Sequence, residues 1–180
     1  MQWEFSVLYA IQELHSPMMD KIMVFITELG DGGWFWIGIG IVCLVIKKHR
    51  RMGLQVLLSM LCTFIIGNLI LKNLFARQRP CAIDPSIALL IPYPSEFSFP
   101  SGHSMNGMTA AMALFLNNKK IGIPALVIAV LIGFSRMYHF VHFPTDIIGG
   151  FCVGFTVAII VNYIFDKVQE KRGVFLKSIE

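Results

Sequence analysis

Long apolar runs separated by short polar islands dominate this chain. The runs that predict buried or membrane-embedded helices are 34–46, 53–71, 104–116, 121–138 and 146–165. Irregular backbone finds no water partner in lipid, so helices are the expected way to carry such runs through a bilayer. Several runs fall short of the roughly 20 residues that a span requires. We therefore expect their polar ends to extend the same helices.

The first 33 residues show a weaker pattern. One helical face of segment 3–14 carries the apolar residues Trp3, Val7, Leu8, Ile11 and Leu14, whereas Glu4, Gln12 and Glu13 fall elsewhere. This periodicity predicts an amphipathic helix that lies at the membrane interface or packs on the bundle. Segment 18–29 predicts a second amphipathic element that is short for a span, and GDGG at 30–33 predicts a turn. The fold predicted is an all-α membrane protein with about six transmembrane helices and an N-terminal amphipathic helix.

Composition supports a membrane protein and argues against a nucleic-acid binder. Apolar residues make up 56% of the 180 residues, charged residues only 14%, and the mean hydropathy is +0.68. An ordinary soluble domain carries about 25% charged residues. The basic residues stand at the ends of apolar runs instead of forming one solvated basic face, so no nucleic-acid partner is expected. We expect a single membrane-embedded domain over 1–180, with the lipid bilayer as its surroundings.

The basic residues predict an orientation in the membrane. They cluster at 47–51, at 117–120 and in a tail that contains Lys167, Lys171, Arg172 and Lys177. If every run from residue 53 onward crosses the bilayer, these clusters share one side, which the positive-inside rule makes cytoplasmic. Three polar islands then meet on the extracytoplasmic side: KNLFARQRP (72–80), PSGH (100–103) and SRMYHFVHFPTD (135–146). The proline-containing loop 81–99 between the first two predicts an ordered lid, or else a connector without a role in substrate choice.

The first island supplies cations on the side where the positive-inside rule disfavours them. Lys72 offers a compact point charge, and Arg79 offers a planar fork that binds two phosphate oxygens. Charged residues in or beside membrane segments are expensive, and their default interpretation is functional. We expect these cations to hold an anion, with interfacial anchoring as the alternative. Arg77 has no comparable role in the pattern and is expected to tolerate substitution better than Arg79.

The second island has the features of a helix start. Ser101 is a good N-cap, and Gly102 allows the backbone to approach a ligand closely. The free N–H groups of a helix N-terminus attract anions, and His103 would lie in the first turn beside such an anion. The alternative is a plain capping turn with an interfacial histidine.

The third island pairs an imidazole with a carboxylate. Arg136 ends one apolar run, and Asp146 follows His142 by four residues at the start of the next. A carboxylate at one ring nitrogen fixes the tautomer and raises the basicity of the other nitrogen. The alternatives are that Asp146 only favours a helix N-terminus and that His142 is interfacial. His139 is expected to serve in packing or beside the site.

Together the three islands resemble the motifs of the type 2 phosphatidic acid phosphatase superfamily. The motifs are Lys, six residues, Arg-Pro; Pro-Ser-Gly-His; and Ser-Arg, five residues, His, three residues, Asp. They occur within 72–146 in the same order and with the same spacings. The resemblance implies a bundle of six membrane helices and a lipid phosphatase in the cell membrane whose site faces the extracytoplasmic side.

The resemblance also implies a role for each motif residue. His142 is the expected nucleophile that becomes a phosphohistidine, Asp146 orients it, and His103 is the general acid. Lys72, Arg79 and Arg136 form a cationic cradle, to which Ser101 and the Gly102 N–H add donors. Because three fixed cations can stabilise the transferring group, we expect no metal and no other cofactor.

At this point several alternatives remain open for the substrate and for the function class. The short chain is similar to bacterial undecaprenyl diphosphate phosphatases, with phosphatidylglycerophosphate or phosphatidic acid as alternative substrates. A vanadate-dependent haloperoxidase is a remote alternative, since those relatives are soluble and larger. A non-catalytic lipid-binding or transport protein is another, as is a metal site at His103, His139, His142 and Asp146. The neighbouring arginines argue against the metal site.

Overall fold

Helices account for nearly all of the apolar runs. The structure is a computed structural model that describes the backbone of residues 2–177 and the side chains of residues 2–171, and this part contains no strand. The helices are α1 (Gln2–Gln12), α2 (Pro17–Glu28), α3 (Trp34–Val45), α4 (Arg50–Thr63), α5 (Lys72–Phe75), α6 (Pro80–Ile83), α7 (Gly102–Asn117), α8 (Lys119–Tyr138) and α9 (Pro144–Lys177). A π-helical segment, Phe64–Leu71, joins α4 directly to α5. The predicted run 53–71 is therefore the middle of a longer continuous helix that ends just after Lys72.

Helices α7 and α8 each begin at a polar capping residue that precedes the predicted apolar run. The Ser101 hydroxyl accepts from the backbone N–H of Ser104 at 3.4 Å at the start of α7. The Asn118 side chain accepts from the backbone N–H of Lys120 at 3.0 Å at the start of α8. Each cap gives a partner to an N–H that the first helical turn leaves free. The caps explain why both helices begin two residues before the predicted runs.

Helix α7 forms the centre of the bundle, between α8 and α9 and against α4. Its residues Ala110, Ala111 and Ala113 are completely buried, so neighbouring helices approach closely. One close approach is made by α9. A Cβ placed on Gly154 would lie 2.5 Å from the carbonyl oxygen of Met105. Small residues at this contact thus set the distance between α7 and α9.

The two ends of the bundle differ in charge and chemistry. At one end Arg51 forms an ion pair with Asp166, and the Asn117 amide donates to Gln55 Oε1 at 2.6 Å. These contacts gather the basic residues near the ends of α4, α7 and α9. At the other end the Ser101 N–H donates to the Asp146 carbonyl at 3.1 Å, joining the starts of α7 and α9. The polar islands and the described basic clusters therefore lie at opposite ends, as predicted.

The described residues do not confirm the six membrane spans expected. Among the described residues, three helical segments are long and apolar enough to cross a membrane: 47–83, 119–138 and 144–171. Helices α2 and α3 count as a fourth only if the pair, bent by 44°, is one broken span. Each has 12 residues and is therefore about 18 Å long, against a hydrocarbon core of about 30 Å. The chain nevertheless has the several apolar helices of a multi-pass membrane protein.

Helix α1 covers most of the segment predicted to be helical, but it buries only part of the predicted apolar face. Leu8 and Ile11 are buried, whereas Trp3 and Leu14 are more than half exposed. Glu4, expected outside the apolar face, is only 4% exposed and pairs with Arg77. A charged partner supplied by a distant segment thus changes the orientation that apolar periodicity alone predicts.

The close contact of α7 and α9 leads to a stability prediction. Gly154→Ala should destabilise the protein by about 1–3 kcal/mol, since the added methyl group meets the fixed backbone of α7. Gly38→Ala is the matched control, because nothing lies within 4 Å of a Cβ added there. The control should be neutral or slightly stabilising because Ala favours helix. The test is thermal unfolding of both variants in detergent, and equal midpoints would contradict the packing argument.

Candidate active site

A cavity of about 570 Å³ opens at the end of the bundle that carries the polar islands. Six of the eight residues predicted from the motifs line it: Lys72, Arg79, Gly102, His103, Arg136 and His142. Asp146 and Ser101 do not line it and are completely buried behind its wall. Residues from α2, the π-helical segment, α5, α7 and α8 and from the intervening loops thus meet at one place.

His142 lies in the short turn between α8 and α9. Its Nε2 is 2.9 Å from Arg79 Nη1. Arginine is only a donor, so Nε2 accepts and the ring proton belongs on Nδ1. Burial, together with the charge of Arg79, lowers the pKa of His142 well below its usual value. The imidazole is therefore neutral, with its Nε2 lone pair directed at the cations.

The Nδ1 side of the ring faces a serine and a carboxylate. Asp146 Oδ2 lies 3.5 Å from His142 Nδ1, which is longer than an ordinary hydrogen bond. Ser98 Oγ is 3.4 Å from the same nitrogen and donates to Asp146 Oδ2 at 2.5 Å. The serine hydroxyl thereby bridges the imidazole and the carboxylate. This contact joins the third island to the end of the loop that precedes α7.

Asp146 is held on both of its oxygens. In addition to Ser98, the backbone N–H of Phe143 donates to Oδ2 at 2.8 Å. Arg77 Nη1 donates to Oδ1 at 2.6 Å. A buried carboxylate without such donors and a countercharge would be unfavourable. The direction of this carboxylate is thus fixed by groups on three sides.

Three cations surround the lone-pair side of His142. Lys72, Arg79 and Arg136 are only 4–6% exposed. Arg79 is held by the Glu96 carbonyl at 2.7 Å and the Val141 carbonyl at 2.9 Å. Arg136 donates to Thr27 Oγ1 at 2.6 Å, while its Nε is buried without a protein partner. Backbone and hydroxyl oxygens hold the two guanidinium groups in place without neutralising them.

His103, in the first turn of α7, also lines the cavity. Its Nε2 is 2.8 Å from Asp31 Oδ1, a residue of the GDGG turn between α2 and α3. Gly30 makes this approach possible, because a Cβ there would come within 2.5 Å of the His103 ring. The segment predicted only as a turn therefore supplies a carboxylate to the site.

Part of the loop before α7, the expected lid, contributes to the wall of the cavity. Its residues 91–96 line the cavity, and Glu96 forms an ion pair with Lys72. This hydrogen bond lowers the pKa of the Glu96 carboxyl. The Glu96 side chain is 64% exposed, so it can move into solvent when another anion replaces it.

Several residues at the site were not found from sequence. Ser98, Asp31, Glu96 and Arg77 contact motif residues directly. Asp31 carries a weak signal, a carboxylate in a glycine turn between apolar segments, and Arg77 stands inside the first island. Ser98 and Glu96 lie in an irregular loop and offer no periodic signal. Conversely, His139 is buried but does not line the cavity, and residues 2–171 hold no cluster of three metal-ligating side chains.

The ion pair between Glu96 and Lys72 predicts competition with anions. Glu96→Gln should bind vanadate or inorganic phosphate several-fold more tightly, because Lys72 loses its resident carboxylate. Glu170→Gln is the control, since Glu170 pairs with Lys167 at 2.9 Å at the other end of the bundle. Thermal shift against anion concentration gives both dissociation constants. An unchanged or weakened affinity in Glu96→Gln would contradict the competition.

Comparison with known proteins agrees with this architecture. The chain is 31% identical to an undecaprenyl-diphosphatase of Sulfolobus acidocaldarius, over 90% of this chain and 75% of that protein. It is 35% identical to phosphatidylglycerophosphatase B of Bacillus subtilis, over 88% of this chain and 81% of that protein. The crystal structure of a transmembrane phosphatidylglycerolphosphate phosphatase of PAP2 type from Bacillus subtilis superposes with a TM-score of 0.76 at 31% identity, covering 93% and 86% of the two chains. Residues 53–170 match the family model described as PAP2 superfamily, and the chain belongs to that superfamily.

Proposed function

We propose that the protein is an integral membrane phosphatase that cleaves a lipid phosphate or diphosphate through a phosphohistidine at His142. One observation carries this proposal: a neutral imidazole directs its Nε2 at three buried cations inside an open cavity. Buried cations that line a cavity are suited to bind an anionic ligand. A nucleophilic nitrogen in their midst suits attack on that ligand's phosphorus.

In the proposed first step, the phosphate displaces Glu96 and takes hydrogen bonds from Lys72, Arg79 and Arg136. The hydrogen bond that Arg79 donates to His142 Nε2 shifts to a phosphate oxygen, which frees the Nε2 lone pair. Nε2 then forms a bond to phosphorus while the bond to the leaving oxygen breaks. Asp146 stabilises the positive charge on the imidazole through Ser98 and by its own proximity.

His103 is the proposed general acid, with Asp31 holding its ring. It gives a proton to the leaving oxygen and afterwards takes one from the water that breaks the phosphorus–nitrogen bond, which releases phosphate and restores His142. The backbone N–H of Gly102 at the start of α7 is a donor to the phosphate. Ser101, whose hydroxyl caps the helix, contributes by holding that N-terminus. The fixed cations stabilise the equatorial oxygens, so the proposal requires no metal.

For the substrate, undecaprenyl diphosphate is our first candidate, because an undecaprenyl-diphosphatase is among the relatives. Phosphatidylglycerophosphate is the alternative that the second relative suggests, and phosphatidic acid shares its chemistry. The motif residues contact only the phosphate, so the choice depends on the lid and the membrane-facing surface.

A substrate assay tests this proposal. Detergent-purified protein with chelator present should release phosphate from undecaprenyl diphosphate faster than from phosphatidylglycerophosphate or phosphatidic acid. His142→Ala should abolish turnover with an unchanged unfolding midpoint. Preference for a glycerophospholipid would replace the substrate and keep the mechanism. Full turnover in His142→Ala, or activity that depends on a divalent metal, would contradict the mechanism.

We further propose that the cavity faces the extracytoplasmic side. The proposal rests on the basic residues gathered at the opposite end, near the Arg51–Asp166 pair. Helix α7 has 16 residues but occupies the centre of the bundle, so we count it as a crossing together with the bent pair α2–α3, the long helix through α4, α8 and α9. This gives five crossings, not six.

Thiol labelling in intact cells tests the orientation. In a variant without its four native cysteines, Tyr93→Cys in the lid should react with a membrane-impermeant maleimide. Lys48→Cys, in the basic cluster, should react only after the membrane is permeabilised. Both positions are exposed in the structure, so a difference reports sidedness. The reverse pattern would place the cavity in the cytoplasm.

A further inference from the structure

A chain of polar contacts links helix α1 to Asp146 through Arg77, outside the motif residues. Arg77 Nη1 donates to Asp146 Oδ1 at 2.6 Å, and Nη2 donates to Glu4 Oε2 at 2.7 Å. The other oxygen of Glu4 accepts from the Thr145 hydroxyl at 2.5 Å, and Thr145 also accepts from Arg77 at 2.7 Å. The guanidinium group thus bridges two carboxylates, one of them in the proposed catalytic machinery.

The surroundings of Arg77 fix its position. Its guanidinium carbon lies 4.2 Å from the centre of the Phe143 ring, a cation–π contact. Phe5 of α1 packs edge-on against the same ring at 5.2 Å. The backbone carbonyl of Arg77 accepts from the Ser98 N–H at 2.8 Å. Arg77 therefore holds Asp146 Oδ1 directly, and its backbone also positions the serine that binds Oδ2.

Arg77 does not line the cavity, so it has no path to the phosphate except through Asp146. We propose that Arg77 and Glu4 are positioning residues for the reaction, which hold the Asp146 carboxylate toward His142 and make helix α1 part of the active site. This inference rests on the proposed function. It also replaces the expectation that Arg77 tolerates substitution better than Arg79.

Arg77 uses one nitrogen for each carboxylate: Nη1 donates to Asp146 and Nη2 donates to Glu4. If Glu4 loses its charge, both Nη groups become available to Asp146, and a two-pronged Arg–carboxylate pair is the favoured geometry. Such a pair would turn the carboxylate away from Ser98 and His142. If Arg77 is lost, Asp146 remains buried without its cation and without the donor that fixes Oδ1. Either change weakens the stabilisation of an imidazolium at His142 without altering the phosphate-binding wall.

The test measures kcat and KM separately on the substrate that the wild type cleaves. Arg77→Met and Glu4→Gln should lower kcat about 10- to 100-fold, the range typical of lost orienting contacts, with KM within about twofold. Arg77→Lys should retain more activity than Arg77→Met because it keeps the charge. Arg51→Met is the matched control, since Arg51 pairs with Asp166 at the far end of the bundle, and its kcat should be unchanged.

A double-mutant cycle separates positioning from a structural role. In an Asp146→Asn background, adding Arg77→Met should lower the residual kcat by less than about twofold, because its effect passes through the carboxylate that is already lost. Fully additive losses would overturn the proposal. So would normal kcat per folded molecule with only a lower unfolding midpoint, which would make α1 a structural anchor.

The outcomes also distinguish this inference from the proposed function. Normal kcat in Arg77→Met and Glu4→Gln, with inactive His142→Ala, would overturn the inference and leave the function standing. A wild type without turnover on any lipid phosphate would overturn both. If Arg77→Met does not fold, Glu4→Gln decides, because it keeps the shape of the side chain and removes only its charge.

Discussion

The structure depends on keeping three cations buried at one end of an apolar bundle. Lys72, Arg79 and Arg136 are each less than a tenth exposed, although charges next to a membrane are unfavourable unless they are paired. Carbonyl oxygens and a threonine hydroxyl orient the two arginines, and the carboxylate of Glu96 rests on the lysine. Burial, together with the charges of Arg79 and Arg136, keeps His142 neutral. His142 and the cations around it are therefore parts of one electrostatic arrangement.

The close packing of helix α7 in the bundle positions the groups of this arrangement. Its small residues allow α9 to approach at Gly150 and Gly154, where an added Cβ would meet α7 backbone within 3 Å. That approach brings the start of α9, with Asp146, against the start of α7, with Ser101. The same geometry points the free N–H groups of α7 and His103 into the cavity. A loss of close packing would thus separate groups that belong to two different motifs.

The sequence predicts the site residues that belong to motifs of fixed spacing. It misses the pairs of residues that lie far apart in the chain. The positions of Lys72, Arg79, His103, Arg136 and His142 around one cavity follow from polar islands at alternate ends of apolar runs. Glu4 and Arg77 are 73 residues apart, and Asp31 and His103 are 72 apart, so no local periodicity reports either pair. The number of spans cannot be read from the apolar runs for a related reason. Whether α2 and α3 are two crossings or one bent crossing depends on the angle between them, which neither apolar run encodes.

The carboxylates that the sequence did not reveal change how substrate selection works. Glu96 pairs with Lys72 and Asp31 pairs with His103, and both Lys72 and His103 line the cationic cavity. A ligand must replace the Glu96 carboxylate to reach Lys72, and only an anion returns the charge compensation that this displacement removes. Since Glu96 belongs to the lid, exchange of one anion for another also frees the lid from Lys72. Under the proposed function, binding of the phosphate would thus release the lid from Lys72, whereas selection among lipid tails would fall to the apolar residues of the lid and of the neighbouring helices.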